Sequence, residues 1–271
     1  MPTLLAPTVI RTHPVMGTMA SVHVHDRVDA SEIDRAVDAM WFDLDRLEAI
    51  FSTFRATSAI SRINSGDLHV LDAGPEVIEV LDACTWLEHV SDGAFRARRP
   101  GNTTIDPAGF VKGWATELAA QRLDLAGLRQ WYLSVGGDIQ TRGTAGDGSP
   151  WRVAIADPNS DDPRAIRAIV EVAGDAVATS GTAARGRHLW DGRTDQPAQG
   201  LASMTVVGPH LTWADACATT AFVMGLDGVD WVTQFAGYRA LAITVDGELV
   251  RRDEQWAQPA TSAATPQASM A

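Results

Sequence analysis

The sequence predicts an α+β fold. Helical periodicity dominates the chain as far as Leu125, short β-type runs dominate the remainder, and the two do not alternate as regular βαβ units. A length of 271 residues allows one large domain or two intertwined halves around a sizeable core.

The elements can be justified in order. Thr18 to His25 alternates apolar Ala20, Val22 and Val24 with Met19, Ser21 and His23, which predicts a first strand after a turn at Met16-Gly17. Ser31 with Asp34 three residues on resembles a capping box, and Ile33, Val37, Met40, Leu44, Leu47 and Ile50 follow at helical spacing, predicting one long helix that ends near Phe51. Pro75 at a first helical position, then Val77, Ile78, Leu81, Trp86 and Leu87, predicts a second helix that stops at Asp92-Gly93. A third is predicted from about Ala108 to Leu125. Strands are then expected at Trp131–Val135, Trp151–Ala156, Ala168–Val172 and Leu201–Val207. Helices at Thr212–Met224 and Gly228–Phe235 come next, then a hairpin in which Asp246-Gly247 joins Ala240–Val245 to Glu248–Arg252. Residues 1–253 are read as the folded domain. Residues from about Ala257 to Ala271 carry no charge and no large apolar anchor beyond Met270, and residues 254–271 are expected to form a disordered tail.

Composition narrows the function. A net charge of −12 argues against a nucleic-acid or anionic-lipid surface, although a local basic pocket remains allowed. No apolar run approaches the roughly 18 residues of a membrane span, and no basic segment precedes Leu4 and Leu5, so a cytoplasmic protein is expected. Cys84 and Cys217 fall in apolar helical stretches and are read as free buried thiols, two being too few for a metal cage. No dinucleotide-binding, Walker A, zinc-protease or nucleophile-elbow motif is present.

Four clusters could carry chemistry. Asp215 and Thr219, at i and i+4, place a carboxylate and a hydroxyl on one helix face, two oxygen ligands that suit Mg²⁺; Thr212-x-x-Asp215 also reads as a capping box, and both readings stand at this point. Asp106-Pro107-Ala-Gly109-Phe-Val-Lys112 opens the third helix, with Asp106 as cap, and a helix N-terminus beside an ammonium can cradle a diphosphate. Lys112 is the sole lysine among 22 basic residues, a compact ammonium where a planar guanidinium would not substitute. Ser134-Val-Gly136-Gly137-Asp138 ends a strand in a paired-glycine turn. Thr179-Ser180-Gly181, followed by Arg185, Arg187, His188 and Asp191-Gly-Arg193, reads as an anion-facing loop, with His188 either structural or a general base.

Taken in order, these segments resemble the ApbE family of FAD:protein FMN transferases, from His13 to about Val250. The likeness rests on His13-Pro-Val-Met16-Gly17-Thr18, Phe51-Ser-Thr-Phe54-Arg-x-x-Ser58-x-Ile-Ser-Arg62-Ile-Asn64 and Ser91-Asp-Gly93-Ala-Phe95. It continues through Asp106-x-x-Gly109-x-x-Lys112-Gly113, Val135-Gly-Gly-Asp138-Ile, Ala178-Thr-Ser180-Gly181, His188-x-x-Asp191-x-Arg193-Thr194 and Ala214-Asp215-Ala-x-Ala-Thr219. The resemblance implies two intertwined α/β subdomains with a mixed or antiparallel sheet and FAD in the cleft between them. It implies FAD contacts at Met16, Phe54, Ala94, Phe95, Arg96, Asp106, Lys112 and Trp190. Mg²⁺, or Mn²⁺, would sit on Asp215, Thr219 and the Gly109 carbonyl, with Asp215 and His188 serving the reaction. That reaction moves FMN from FAD to a Thr or Ser hydroxyl of an acceptor flavoprotein and releases AMP.

The chain departs from the family pattern at several places. The stretch between Phe95 and Asp106 is short, the common Asp-Pro-Arg-Thr-Gly reads Asp191-Gly-Arg-Thr-Asp195, Trp190 replaces the usual aliphatic residue, and Thr182-Ala-Ala stands where an aromatic often follows the Ser-Gly pair. The competing readings are an FAD diphosphatase, which would use the same metal site with water as acceptor, a non-catalytic flavin-binding protein, and a protein-interaction domain.

Overall fold

The computed structural model describes residues 8–98, 103–182, 189–252 and 256–257. The elements run β1 (Val9–Val15), β2 (Thr18–Val24), α1 (Ala30–Phe51), α2 (Ala59–Ser65), α3 (Pro75–Val90), α4 (Ala108–Leu125), β3 (Trp131–Val135) and β4 (Asp138–Arg142). Then come β5 (Trp151–Ala156), β6 (Ile166–Val172), β7 (Ala176–Gly181), β8 (Trp190–Asp191), β9 (Gln196–Pro197) and β10 (Leu201–Gly208). The chain closes with α5 (Leu211–Met224), α6 (Asp227–Thr233), β11 (Arg239–Thr244), β12 (Leu249–Arg251) and β13 (Trp256–Ala257).

Eight strands form one sheet in the order β1-β2-β3-β4-β7-β10-β11-β12, and β13-β6-β5 form a smaller one. Every pair is antiparallel. The alternation of the central strands splits them between two cores. Ala176, Ala178, Met204, Val206, Ala240 and Ala242 face the helices. Val177, Val207, Leu241 and Ile243 face the small sheet, against Trp151, Val170, Val172 and Trp256. β10 is therefore buried along its whole length, as a strand covered on both faces must be. α5 is apolar nearly all round because it lies between α4 and the sheet.

Several boundaries differ from expectation. α1 starts one residue before Ser31, capped by Asp29, whose carboxylate accepts the Ser31 N–H at 2.8 Å. Asp34 pairs instead with Arg11 at 2.7 Å. A strand, β1, precedes the expected first one; its side chains are largely exposed, and it lies at the sheet edge, where its Pro14 is tolerated. α2 has no counterpart among the expected elements. Its cap is Ser58, whose hydroxyl accepts the Ser61 N–H at 2.9 Å. Trp256–Ala257, inside the expected tail 254–271, pairs with β6, and Trp256 is buried against the second core. The burial of that indole accounts for its attachment.

Cys84 and Cys217 are free and buried, as the sequence suggested. Burial pushes both thiols up to about 12, with the Asp106 carboxylate adding to the effect at Cys84. The native protein should therefore resist a thiol reagent at pH 8, and both sulfurs should react once it is unfolded. Between the ordinary thiol value of 9.0 and about 12 the folded chain keeps these protons while the unfolded chain loses them, so stability falls as pH rises through that window. Thiol titration with and without denaturant, and a denaturant midpoint followed from pH 8 upward, check both statements. Fast labelling of the native protein would contradict the first.

Candidate functional site

The site is built where α4 and α5 touch. Gly113 of α4 permits the contact: a β carbon there would stand 2.7 Å from Asp215 Cβ and 2.7 Å from the Leu211 carbonyl oxygen. Across this contact the Gly113 N–H donates to Asp215 Oδ2 at 2.8 Å. In a regular helix that N–H serves the Gly109 carbonyl, so Asp215 competes with this carbonyl for its donor. Gly109 itself packs against Phe95 and Thr219, with an added β carbon 3.1 Å from the Phe95 ring and 3.4 Å from the Thr219 methyl. Asp215, Thr219 and Gly109, on two helices separated by about a hundred residues of sequence, are thereby brought to one place.

The capping-box reading of Asp215 does not hold. The α5 cap is His210, and Glu117 of α4 accepts both the Thr212 N–H at 2.9 Å and its hydroxyl at 2.6 Å. Asp215 is left to interactions with α4. Its Oδ1 lies 3.3 Å from the Lys112 ammonium, which also pairs closely with Asp138 Oδ2. Thr219 Oγ1 is 3.0 Å from Ser180 Oγ on β7.

A cavity of about 300 Å³ opens beside this contact, and Ala94, Phe95, Arg96, Asp106, Gly109, Trp190 and Thr219 are among its lining residues. Hydrogen bonds hold its walls in place. Ser91 Oγ accepts the Phe95 N–H at 3.1 Å, the Ala97 carbonyl accepts the Asp106 N–H at 2.7 Å, and Asn64 bonds both backbone groups of Ile105 at 2.7 and 2.9 Å. α4 begins at Ala108 with Pro107, rather than Asp106, as its cap residue; Asp106 still receives the Ala108 N–H at 3.1 Å.

The departure at residue 192 has a physical reason. Gly192 donates its N–H to the Ala94 carbonyl at 3.1 Å, and a β carbon on it would stand 2.4 Å from the Gly93 carbonyl oxygen. Proline could do neither. Arg193, expected to face an anion, is instead held by Asp191 through two contacts of 2.8 Å. The Arg193 guanidinium is the leading cause that keeps the Asp191 carboxyl below its ordinary value, against the opposing effect of burial. His188, Arg185 and Arg187 lie outside the described residues.

Met16 and Phe54 are not among the residues lining the cavity, but the loops that carry them are linked. Glu48 accepts the Met16 N–H at 2.9 Å through Oε2 and pairs with Arg55 at 3.3 Å through Oε1, so the Met16 turn and the loop bearing the fully exposed Phe54 meet at one carboxylate. Nothing in the local sequence pattern marks Glu48. The Met16-Gly17 turn also abuts the Gly136-Gly137 turn, where the Gly136 N–H donates to the Met19 carbonyl at 3.1 Å. Among the described residues no group of three or more His, Cys, Asp or Glu could hold a metal, so a cation at Asp215 would depend on hydroxyl, carbonyl and substrate oxygens.

Comparison with known proteins bears on the fold and the family. Solved structures show the same fold: the flavin transferase ApbE from Vibrio cholerae aligns with a TM-score of 0.78 at 23% identity, over 92% of this chain and 98% of that one. An ApbE protein from Thermotoga maritima gives a TM-score of 0.78 at 23% identity, over 90% and 97%. The fold is thus that of the ApbE flavin transferases. The ApbE family model matches residues 16–98 and 96–242, and the chain belongs to the ApbE family. It is 30% identical over 187 residues to the FAD:protein FMN transferase of Escherichia coli K12, covering 64% of this chain and 53% of that protein. It thus spans about half the length of that relative. The FAD:protein FMN transferase of Treponema pallidum is 23% identical over 310 residues, covering 87% of this chain and 84% of that protein. No helix among the described residues is long and apolar enough to cross a membrane.

Proposed function

We propose that this protein transfers FMN from FAD to a Ser or Thr hydroxyl of an acceptor flavoprotein and releases AMP. The observation that carries the reading is the meeting of Asp215, Thr219 and Gly109 at the edge of a cavity that Ala94, Phe95, Arg96, Asp106 and Trp190 also line. The acceptor oxygen attacks the FMN phosphorus, the bridging P–O bond of the diphosphate breaks, and its electron pair leaves with AMP. The residues fit a hard cation: a carboxylate and a hydroxyl one helical turn apart, plus a carbonyl whose helical donor is shared with Asp215. Mg²⁺ or Mn²⁺ held there would neutralise charge on the diphosphate and act as a Lewis acid.

The chain's own residues account for the rest. Asp106, fixed at the start of α4, and Lys112, further along the same helix, would meet the polar part of FAD, while Phe95 and Trp190 offer aromatic faces. Met16 and Phe54, whose loops Glu48 links through the Met16 N–H and Arg55, would border the isoalloxazine. His188 is the sequence's candidate for taking the proton of the acceptor hydroxyl.

Incubation of the protein with FAD, Mg²⁺ or EDTA, and a flavoprotein domain bearing an exposed Ser/Thr motif tests the reading. AMP release matched by flavin fluorescence that stays with the denatured acceptor is expected, and only with Mg²⁺. AMP with free FMN would favour a diphosphatase. FAD that binds but stays intact would overturn catalysis.

A further inference from the structure

We propose that Asp138 is a positioning residue that draws the Lys112 ammonium away from Asp215 and so clears a carboxylate oxygen for a divalent cation. The inference rests on the reading that a cation binds at Asp215, and it adds a residue to which no ligand role was attached.

One ammonium serves two buried carboxylates. The side chains of Asp138 and Asp215 are 2% and 4% exposed, and Lys112 reaches both. A buried carboxylate without a cation or hydrogen bonds is costly, and the oxygens divide the available partners between them. Asp215 Oδ2 takes the Gly113 N–H, which leaves Oδ1 facing Lys112 at 3.3 Å. Asp138 Oδ1 takes the Thr179 N–H at 2.9 Å, which leaves Oδ2 in close contact with the same ammonium. Asp215 Oδ1 cannot hold both the ammonium and a divalent cation, since like charges on one oxygen repel. Asp138 gives Lys112 a buried partner to keep when it leaves Asp215, so neither charge is stranded.

The backbone fixes Asp138 for this task. Gly136 and Gly137, at φ 60° and 96°, turn the chain so that Asp138 enters β4 buried, a path that residues with a β carbon rarely follow. Its bond to Thr179 ties it to β7, whose next residue, Ser180, touches the Thr219 hydroxyl. The same carboxylate is therefore linked to the ammonium on one side and to the strand beside the second candidate ligand on the other. An ion pair serving stability alone would not need to share its cation with Asp215.

The test is Mn²⁺ binding to the full chain without FAD, followed by the electron paramagnetic resonance of free Mn²⁺, with thermal midpoints recorded for each variant. D138N keeps an oxygen for the Thr179 N–H but loses the charge that holds Lys112, and should weaken Mn²⁺ binding about tenfold. K112M removes the competitor and should tighten it about fivefold. Opposite signs are the expected result, because damage to folding alone would weaken binding in both. Equal weakening in both, or D138N binding like the wild type while D215N has lost Mn²⁺, would overturn the role of Asp138. If D138N does not fold, the sign of the K112M change decides, with weaker binding overturning the proposal. D215N binding Mn²⁺ as well as the wild type would instead remove the cation from Asp215, and the proposal would fall with that reading.

Discussion

Asp215→Asn is expected to lower cation-dependent AMP release by about a thousandfold or more while FAD still binds. The substitution is nearly isosteric. An amide oxygen can still accept the Gly113 N–H that now reaches Oδ2 at 2.8 Å, so the α4–α5 contact is kept and the charge alone is lost. The remaining candidate ligands, the Thr219 hydroxyl and the Gly109 carbonyl, are neutral and hold a hard cation weakly. Residues such as Phe95, Asp106 and Trp190 lie elsewhere around the cavity, which is why FAD affinity should change far less than turnover. Stopped-time chromatography of AMP, together with flavin fluorescence titration, separates the two effects. Turnover within a few-fold of the wild type would remove Asp215 from the reaction.

Gly113→Ala should damage both stability and turnover. Alanine inside a helix gains about 1 kcal/mol in propensity over glycine. Here its methyl would collide with two atoms that cannot move independently: the Leu211 carbonyl oxygen, part of the α5 backbone, and Asp215 Cβ, each at 2.7 Å. Relief requires α4 and α5 to separate, and over-packing of this kind outweighs the propensity gain, for a net loss of about 2 to 3 kcal/mol. The same shift carries Asp215 away from Gly109. Gly109→Ala is the matched comparison, because its methyl would meet a ring edge and a methyl group at 3.1 and 3.4 Å, which can yield. Urea midpoints for both variants check the prediction, and a G113A midpoint equal to that of the wild type would contradict it.

Elements with clear boundary signals or compact apolar runs are legible in the sequence. α4, β3 and β5 have their expected limits because α4 lies between clear start and stop signals and the strands are short apolar runs. β4 and β7 are not legible. In β4 the buried residues are Asp138, Gln140 and Thr141, whose burial depends on distant partners: Thr179 for Asp138, Leu211 for Gln140 and Asp175 for Thr141. β7 is made of small residues in a central position, where close helix packing rather than side-chain size decides. The candidate site shows the same division. Asp215 and Thr219 are visible because both lie on one helix, and Gly109 and Lys112 because they share another that Asp106 precedes. Glu48 and the ion-pairing role of Asp138 are hidden, since Glu48 reaches Met16 across 32 positions and Asp138 meets Lys112 across 26. Arg193 of the expected anion-facing loop is paired with an aspartate two residues earlier, a contact that the residue types alone do not announce.

The placement of the cation is the claim on which the other site assignments depend. A crystal structure of the protein with FAD and Mn²⁺, with data collected at the manganese absorption edge, tests it most directly. An anomalous peak within bonding distance of Asp215 and Thr219, in reach of the Gly109 carbonyl and the diphosphate, is the expected result. A peak elsewhere in the cavity, or FAD bound with no peak near Asp215, would contradict it.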